Sequence, residues 1–234
     1  MPDQQKIQAY RDIQDRTKLV MSQLPLLFST EDSEHSIAEK AYQLLCEQGL
    51  TETWYYNCPA LVLAGSRSCL SISGKEYQAN HEKLGGKNLI SIDLSPSKNG
   101  VWGDYSRSFA FEFGTYVEQA KTLEYQNGLN FLKNLHEEML TWVRPDTSFH
   151  QLFQWANVRI RESGFVNLDF RSNVGHSLEI ERENRQYIQA NNTHTLASVD
   201  FFSFEPFVRV KGGLWGFKHE DIFYFDDSER LVCL

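Results

Sequence analysis

Four segments of the chain carry apolar residues at three- and four-residue steps, the spacing typical of an amphipathic helix. These segments cover residues 3–22, 29–49, 115–143 and 146–164. The second and the fourth share a polar capped start, an amphipathic body and a closing glycine, Gly49 or Gly164. Because a long helix precedes each of them, the pattern predicts two similar helix pairs.

Segments with the residue pattern of β-strands follow each helix pair. Aromatic and β-branched residues dominate residues 54–73, 89–111 and 199–225, with glycines and prolines between the apolar runs. Helices followed by strands, twice over, indicate an α+β fold class built from two helix–helix–strand halves related by a pseudo-twofold.

The stretch from Leu89 to Phe111 predicts a β-hairpin with a five-residue loop at residues 96–100. Each strand carries one aspartate in otherwise apolar surroundings, Asp93 and Asp104. Facing strands place these residues opposite each other or one step diagonal, on one face of the sheet. Two carboxylates so close repel each other unless a cation lies between them, which favours a metal site over a pair of exposed acids beside a turn.

Three further candidate ligands lie in the last third of the chain: His176 in VGHS, Glu205 in FFSFEPF and Glu220 in KHED. Burial of Glu205 among phenylalanines requires a cation, a proton or an arginine partner such as Arg209. Four carboxylates and one imidazole suit two divalent cations, with Mn²⁺, Fe²⁺, Co²⁺ and Zn²⁺ as alternatives. Such a pair activates water for hydrolysis.

Composition narrows the class of protein. The chain has 234 residues and a formal net charge of −8, with no cluster of basic residues, which argues against nucleic acid or an anionic membrane as partner. No apolar run approaches the roughly 20 residues that span a bilayer. The four cysteines lack CxxC spacing, as expected of free thiols in the cytoplasm. We expect a small-molecule or short-peptide substrate and leave a homodimer open.

Five motifs in order, SIDL, WGDYSR, VGHS, FEP and HED, resemble the pita-bread metallopeptidases: methionine aminopeptidase, Xaa-Pro aminopeptidase, prolidase and creatinase. The resemblance covers about residues 30–225 and is greatest to the Xaa-Pro peptidase branch, through Glu205-Pro206 and Glu220-Asp221. It implies a pita-bread fold with a curved, mainly antiparallel sheet. We expect one catalytic domain over residues 1–234, with an N-terminal helix in residues 1–28 and no separate N-terminal domain of the creatinase type.

The resemblance also implies roles for the five candidate ligands. Asp93 would bind one metal ion, Asp104 and Glu220 would bridge both ions, and His176 and Glu205 would bind the other. Glu205 would in addition be catalytic, handling the proton of the attacking water. The implied activity is that of a dinuclear metal-dependent hydrolase of a C–N bond, similar to an Xaa-Pro aminopeptidase or dipeptidase.

The sequence departs from this family at two substrate-site histidines. Glu76, followed by Tyr77, stands where the first is expected, and Glu183 stands where the second is expected. We therefore predict Glu76, Tyr77 and Glu183 as substrate-binding residues and expect an altered, small or basic substrate. The alternatives are a catalytically silent binding module, a non-peptide amidohydrolase and an oxidative di-iron enzyme.

Overall fold

In the computed structural model, which describes residues 2–234, helices alternate with short strands. The α-helices are α1 (Gln4–Gln23), α2 (Glu34–Glu47), α3 (Leu123–Trp142) and α4 (Phe149–Glu162). Short 3-10 helices cover Leu24–Leu27, Gly65–Cys69, Arg182–Asn184 and Leu196–Ser198. The strands are β1 (Glu52–Thr53), β2 (Ala60–Ala64), β3 (Lys87–Leu94), β4 (Pro96–Lys98), β5 (Val101–Trp102), β6 (Tyr105–Glu112), β7 (Thr115–Tyr116), β8 (Phe165–Asn167), β9 (Phe202–Phe204), β10 (Phe207–Val210), β11 (Gly216–Phe225) and β12 (Leu231–Cys233).

The two predicted helix pairs are present and alike. Each has a 20-residue helix followed by a 14-residue helix. The shorter helices begin with capping boxes at Ser33 and Ser148, in which the cap and the residue three positions later bond each other's backbone. They are followed by Gly49 and Gly164, whose φ angles of +72° and +81° suit a residue without a Cβ atom.

Two predicted helix starts were wrong. The segment from residue 29 becomes helical only at Glu34, after the N-cap Ser33. The segment from residue 115 begins as strand β7, and α3 starts only at Leu123. The carboxylate of Glu112 explains this boundary, because it accepts hydrogen bonds from the backbone N–H groups of Lys121 and Thr122 just before the helix. These donors would otherwise be unsatisfied at the helix N-terminus.

A curled antiparallel sheet runs through both halves in the order β2-β3-β6-β11-β10-β8, and a smaller sheet contains β1, β4 and β5. The helix pairs cover different parts of the large sheet. Ile90 and Ile92 of β3 pack in the core of α1 and α2, whereas Phe217 of β11 packs in the core of α3 and α4. Ser91 and Asp93 alternate with those isoleucines and line a cavity on the other face.

The predicted hairpin is present, but its five-residue loop was wrong. β3 ends at Leu94 and β6 begins at Tyr105, and between them β4 and β5 form a second, smaller hairpin that belongs to the small sheet. Its turn is Asn99-Gly100, with φ angles of +54° and +76°, as in a two-residue hairpin turn. None of the helices in residues 2–234 is long and apolar enough to cross a lipid bilayer.

Candidate metal centre

All five predicted metal ligands come together at one end of a cavity of about 300 Å³. Four of them line the cavity, and Glu220 lies behind them with 1% of its side chain exposed. The sheet register explains part of this arrangement. Asp93 on β3 and Glu220 on β11 are both paired with Ser106 of β6, so they lie in one row across the sheet.

Asp104 is positioned by helix α1. It comes directly before β6, one step diagonal to Asp93, as the hairpin prediction expected. Its backbone N–H donates to the side-chain oxygen of Gln14 at 3.2 Å, and its carbonyl accepts from the Gln14 amide nitrogen at 2.8 Å. Both residues are buried, so this two-point contact ties the first helix to the site.

His176 depends on the glycine before it. Gly175 has a φ of +148°, and a Cβ atom there would lie 2.1 Å from the carbonyl oxygen of Ser203. The glycine thus lets the His176 segment run against β9, where the N–H of Ser203 donates to the carbonyl of His176 at 2.7 Å. This contact sets the imidazole among the carboxylates.

The tautomer of His176 follows from its contacts. Nδ1 lies 2.9 Å from the carbonyl oxygen of Ser177, which only accepts hydrogen bonds, so Nδ1 carries the hydrogen. Nε2 then presents its lone pair toward Asp104 Oδ2 at 3.6 Å and Glu205 Oε1 at 3.7 Å. Burial lowers the pKa of His176 to about 4, which keeps the ring neutral at pH 7. A neutral imidazole oriented in this way is a metal ligand.

Asp104, His176 and Glu220 offer ligand atoms that lie within 4.8 Å of one another. Within residues 2–234, buried Asp104 Oδ2 and both carboxylate oxygens of Glu220 have no hydrogen-bond partner. Burial and repulsion by neighbouring carboxylates raise the pKa of both acids well above the ordinary range. Buried oxygens without donors, facing an imidazole lone pair, fit a divalent cation.

Asp93 and Glu205 are in a different environment, because the ammonium group of Lys218 lies between them. Its Nζ is 2.5 Å from Asp93 Oδ2, 3.0 Å from Glu205 Oε2 and 4.0 Å from Glu220 Oε2. Burial alone would lower the pKa of Lys218, but these carboxylates outweigh burial and raise it well above its ordinary value. Burial raises the pKa of Asp93, partly offset by Lys218.

Sequence reasoning missed Lys218 and named Arg209 as the alternative partner of Glu205. A signal was available, since Lys218 stands two residues before Glu220 on a strand and must share its face of the sheet. Arg107 lies outside the cavity lining and forms a bidentate pair with Asp221 at 2.8 and 2.9 Å.

Arg185 is the second residue that sequence reasoning missed. It lines the cavity with its Nη1 3.5 Å from His176 Nε2, and its guanidinium lies over the rings of Trp54 and Tyr187. No carboxylate in the described part of the chain lies within 4 Å of it. The cavity thus has an aromatic wall and a cation at the edge of the acidic cluster.

The three predicted substrate-binding residues lie elsewhere. Glu76 is exposed, and the side chain of Glu183 is 68% exposed and paired with Arg182. Tyr77 packs beside Leu61 and Leu63, and its hydroxyl donates to the carbonyl oxygen of Val62 at 2.8 Å. None of the three lines the cavity. The expectation of a basic substrate depended on acids at these positions, and the cavity has Arg185 beside His176 instead.

A second group of potential ligands, His136, His219 and Asp221, lies outside the cavity lining. Both carboxylate oxygens of Asp221 already have a donor in Arg107. Asp221 accepts from Arg107 and lies 3.0 Å from His219 Nε2, and both ring nitrogens of His136 lie against backbone carbonyl oxygens. This group therefore joins α3 to β11, without the orphaned oxygens of the first cluster.

Comparison with known proteins bears on both fold and family. The family model for metallopeptidase family M24 matches residues 8–227. An X-Pro aminopeptidase from Thermotoga maritima superposes with a TM-score of 0.80 at 16% identity, over 99% of this chain and 61% of that one. A prolidase from Thermococcus sibiricus gives 0.79 at 16%, over 100% and 59%. Aminopeptidase P from E. coli gives 0.80 at 14%, over 99% and 55%.

These likenesses confirm the predicted α+β class with a curved antiparallel sheet, the pita-bread fold. At such low sequence identity, the similarity to these structures shows the fold alone. This chain spans about three fifths of the length of the first solved structures it matches. A search of curated proteins finds no match to it.

Proposed function

This chain belongs to metallopeptidase family M24, and we propose that it is a metal-dependent hydrolase that cleaves a C–N bond, similar to an Xaa-Pro aminopeptidase or dipeptidase. One observation carries the proposal. Asp104, His176 and Glu220 converge at the end of a cavity with three buried oxygens that lack donors among residues 2–234. These three residues would hold a divalent cation, which would polarise the carbonyl group of the substrate and lower the pKa of a bound water.

Glu205 is proposed as the proton acceptor. Burial raises the pKa of this carboxyl, but the positive charge of Lys218 and its hydrogen bond outweigh burial and lower the pKa, so the group is ionised at neutral pH. Lys218 bonds Oε2, which leaves Oε1, on the side of His176, to take a proton from the attacking water. A proton held on Oε1 can then pass to the leaving amine.

The residues that line the cavity suit a short peptide or a small amide as substrate. Trp54, Tyr55 and Tyr187 line the cavity with flat rings that suit an apolar ring such as that of proline. Burial raises the pKa of Tyr55 to about 12, so its phenol stays a neutral hydrogen-bond donor. Arg185 can bind a substrate carboxylate or stabilise negative charge that develops on the scissile carbonyl.

The proposal is tested by following the release of free proline, or of the amine of small amides, with mass spectrometry. Purified protein is loaded with Mn²⁺ or another divalent ion and supplied with a panel of Xaa-Pro dipeptides. Glu205→Gln is expected to lower kcat by about 10²–10⁴-fold, the range for loss of a general base. Glu162→Gln, the same change at an exposed position on α4, is the matched control and is expected to leave kcat unchanged.

Turnover that Glu205→Gln leaves intact would remove Glu205 from the proposed role. Absence of turnover with every loaded metal would favour a second candidate function, a catalytically silent binding module. The pairing of Lys218 with Asp93 and Glu205 is the observation that favours this candidate, because one ammonium group contacts both acids without any metal. Calorimetry with the same dipeptides separates binding without turnover from the absence of binding.

A further inference from the structure

The five predicted ligands divide into two sets according to what their oxygens contact. Asp93 and Glu205 each give an oxygen to Lys218 Nζ, at 2.5 and 3.0 Å. Asp104 Oδ2 and both oxygens of Glu220 bond no donor among residues 2–234. We propose that this centre binds one divalent cation, on Asp104, His176 and Glu220, and that the Lys218 ammonium replaces a second cation. The inference rests on the proposed function for the identity of the cation site.

Distance is the first argument for a single cation. A divalent transition metal lies about 2.0–2.2 Å from a carboxylate oxygen. The Lys218 nitrogen is already 2.5 Å from Asp93 Oδ2, the residue that a second cation requires. An ammonium and a metal ion on the same oxygen would repel each other at very short range. A second cation can therefore bind this oxygen only if the lysine leaves it.

Charge is the second argument. The ammonium of Lys218 already supplies a positive charge that Asp93 and Glu205 share, whereas Asp104 Oδ2 and both carboxylate oxygens of Glu220 have no donor among residues 2–234. A cation from solution therefore gains most at Asp104 and Glu220. A second divalent ion placed beside the ammonium would be repelled by its like charge.

The lysine is held where it lies. Its backbone N–H donates to Ser108 Oγ at 2.8 Å, and the same hydroxyl donates to its carbonyl at 3.2 Å. Lys218 also pairs with Phe207 of β10, so its strand is bonded on both sides. Only 19% of the side chain is exposed, and the described residues give its ammonium no alternative carboxylate partner outside this cluster.

The test is the number of Mn²⁺ ions per chain, measured by plasma mass spectrometry after saturation and removal of free metal. We expect one ion in the unaltered protein and two in Lys218→Met, which has a stem of similar length and no charge. Lys211→Met, an exposed lysine changed in the same way, is the matched control with one ion expected. Electron paramagnetic resonance gives a second readout, since two neighbouring Mn²⁺ ions couple and an isolated ion does not.

Two further variants keep the test decisive if Lys218→Met fails to fold. Asp93→Asn should still bind one Mn²⁺, because Asp93 serves the lysine, whereas Asp104→Asn should bind none. Two ions in the unaltered protein, or loss of the ion in Asp93→Asn, overturns the inference. One ion without turnover supports the inference and argues against the proposed function. No ion in any variant overturns both.

Discussion

The two ends of the acidic cluster differ in whether a cation of the fold lies beside their carboxylates. At one end, Asp93 and Glu205 are about 20% exposed and share the ammonium of Lys218. At the other, Asp104 and Glu220 are almost fully buried with no donor to their inner oxygens among the described residues. One end contains its own cation, and for the other we propose a cation from solution.

This difference separates stability from function. A carboxylate that already pairs with a cation of the fold gains little from a bound ligand. A buried carboxylate without a partner lowers the free energy of unfolding, and a ligand that binds it restores that stability. Strain of the second kind is typical of functional sites. Substitutions at the two ends of the cluster should therefore change the stability of the metal-free protein with opposite signs.

The largest effect is expected at the paired end. In the presence of a chelator, Lys218→Met removes the cation that Asp93 and Glu205 share and leaves their charges buried. We expect the free energy of unfolding to fall by about 3–5 kcal/mol, the range for breaking a buried ion pair from one side. Urea denaturation followed by fluorescence measures it. Added Mn²⁺ should restore part of this loss, because a ligand that binds only the folded state stabilises it.

Lys211→Met is the control, with a change within about 0.5 kcal/mol, as usual for an exposed position. A loss as small as this in Lys218→Met would mean that solvent screens the Lys218 contacts, and the comparison between the two ends would fail.

A smaller effect of opposite sign is expected at the unpaired end. Glu220→Gln replaces a buried carboxyl by a neutral amide of the same shape. In the metal-free protein at pH 7 we expect the free energy of unfolding to rise by about 1–3 kcal/mol, because burying a neutral amide without partners costs less than burying a carboxylate. The same variant should lose Mn²⁺-dependent stabilisation, which thermal unfolding with and without the ion measures.

The pH dependence gives this prediction its sign. The pKa of Glu220 is raised in the folded protein, so the unfolded chain loses its proton first as pH increases. The stabilising contribution is complete below the unfolded pKa of about 4.3 and is lost as pH rises through the folded pKa. The stability advantage of Glu220→Gln should therefore grow from pH 4 toward pH 8. An advantage that shrinks over this range would contradict it.

Local signals in the sequence were sufficient for the helix pairs and for the neighbourhood of Asp93 and Asp104. Capping boxes at Ser33 and Ser148 and closing glycines are short-range features, and the hairpin joins Asp93 to Asp104 over a few residues. The small β4–β5 hairpin was missed because its strands are two and three residues long, too short for periodicity to register.

Lys218 and Arg185 could not be placed in this way, because each acts on residues brought near by folding. Lys218 contacts Asp93 across 125 positions of sequence, and Arg185 reaches the site from a loop after a 3-10 helix. Glu183 was assigned by counting residues from the VGHS motif, and it lies in the 3-10 helix Arg182–Asn184 with its side chain exposed. Counting along the chain does not set the direction of a side chain across the irregular segment between His176 and this helix.

The smallest effects are expected at two of the residues that counting selected. Glu76→Gln and Glu183→Gln change exposed carboxylates outside the cavity, so neither should measurably alter the free energy of unfolding. Neither should change the KM of whichever dipeptide is turned over.

Arg185→Met, at the cavity wall, should raise that KM by about tenfold or more, because it removes a charge-assisted contact of about 1.5–3 kcal/mol. A rise in KM for Glu183→Gln, with none for Arg185→Met, would mean that the loop turns its acid rather than its arginine toward the substrate.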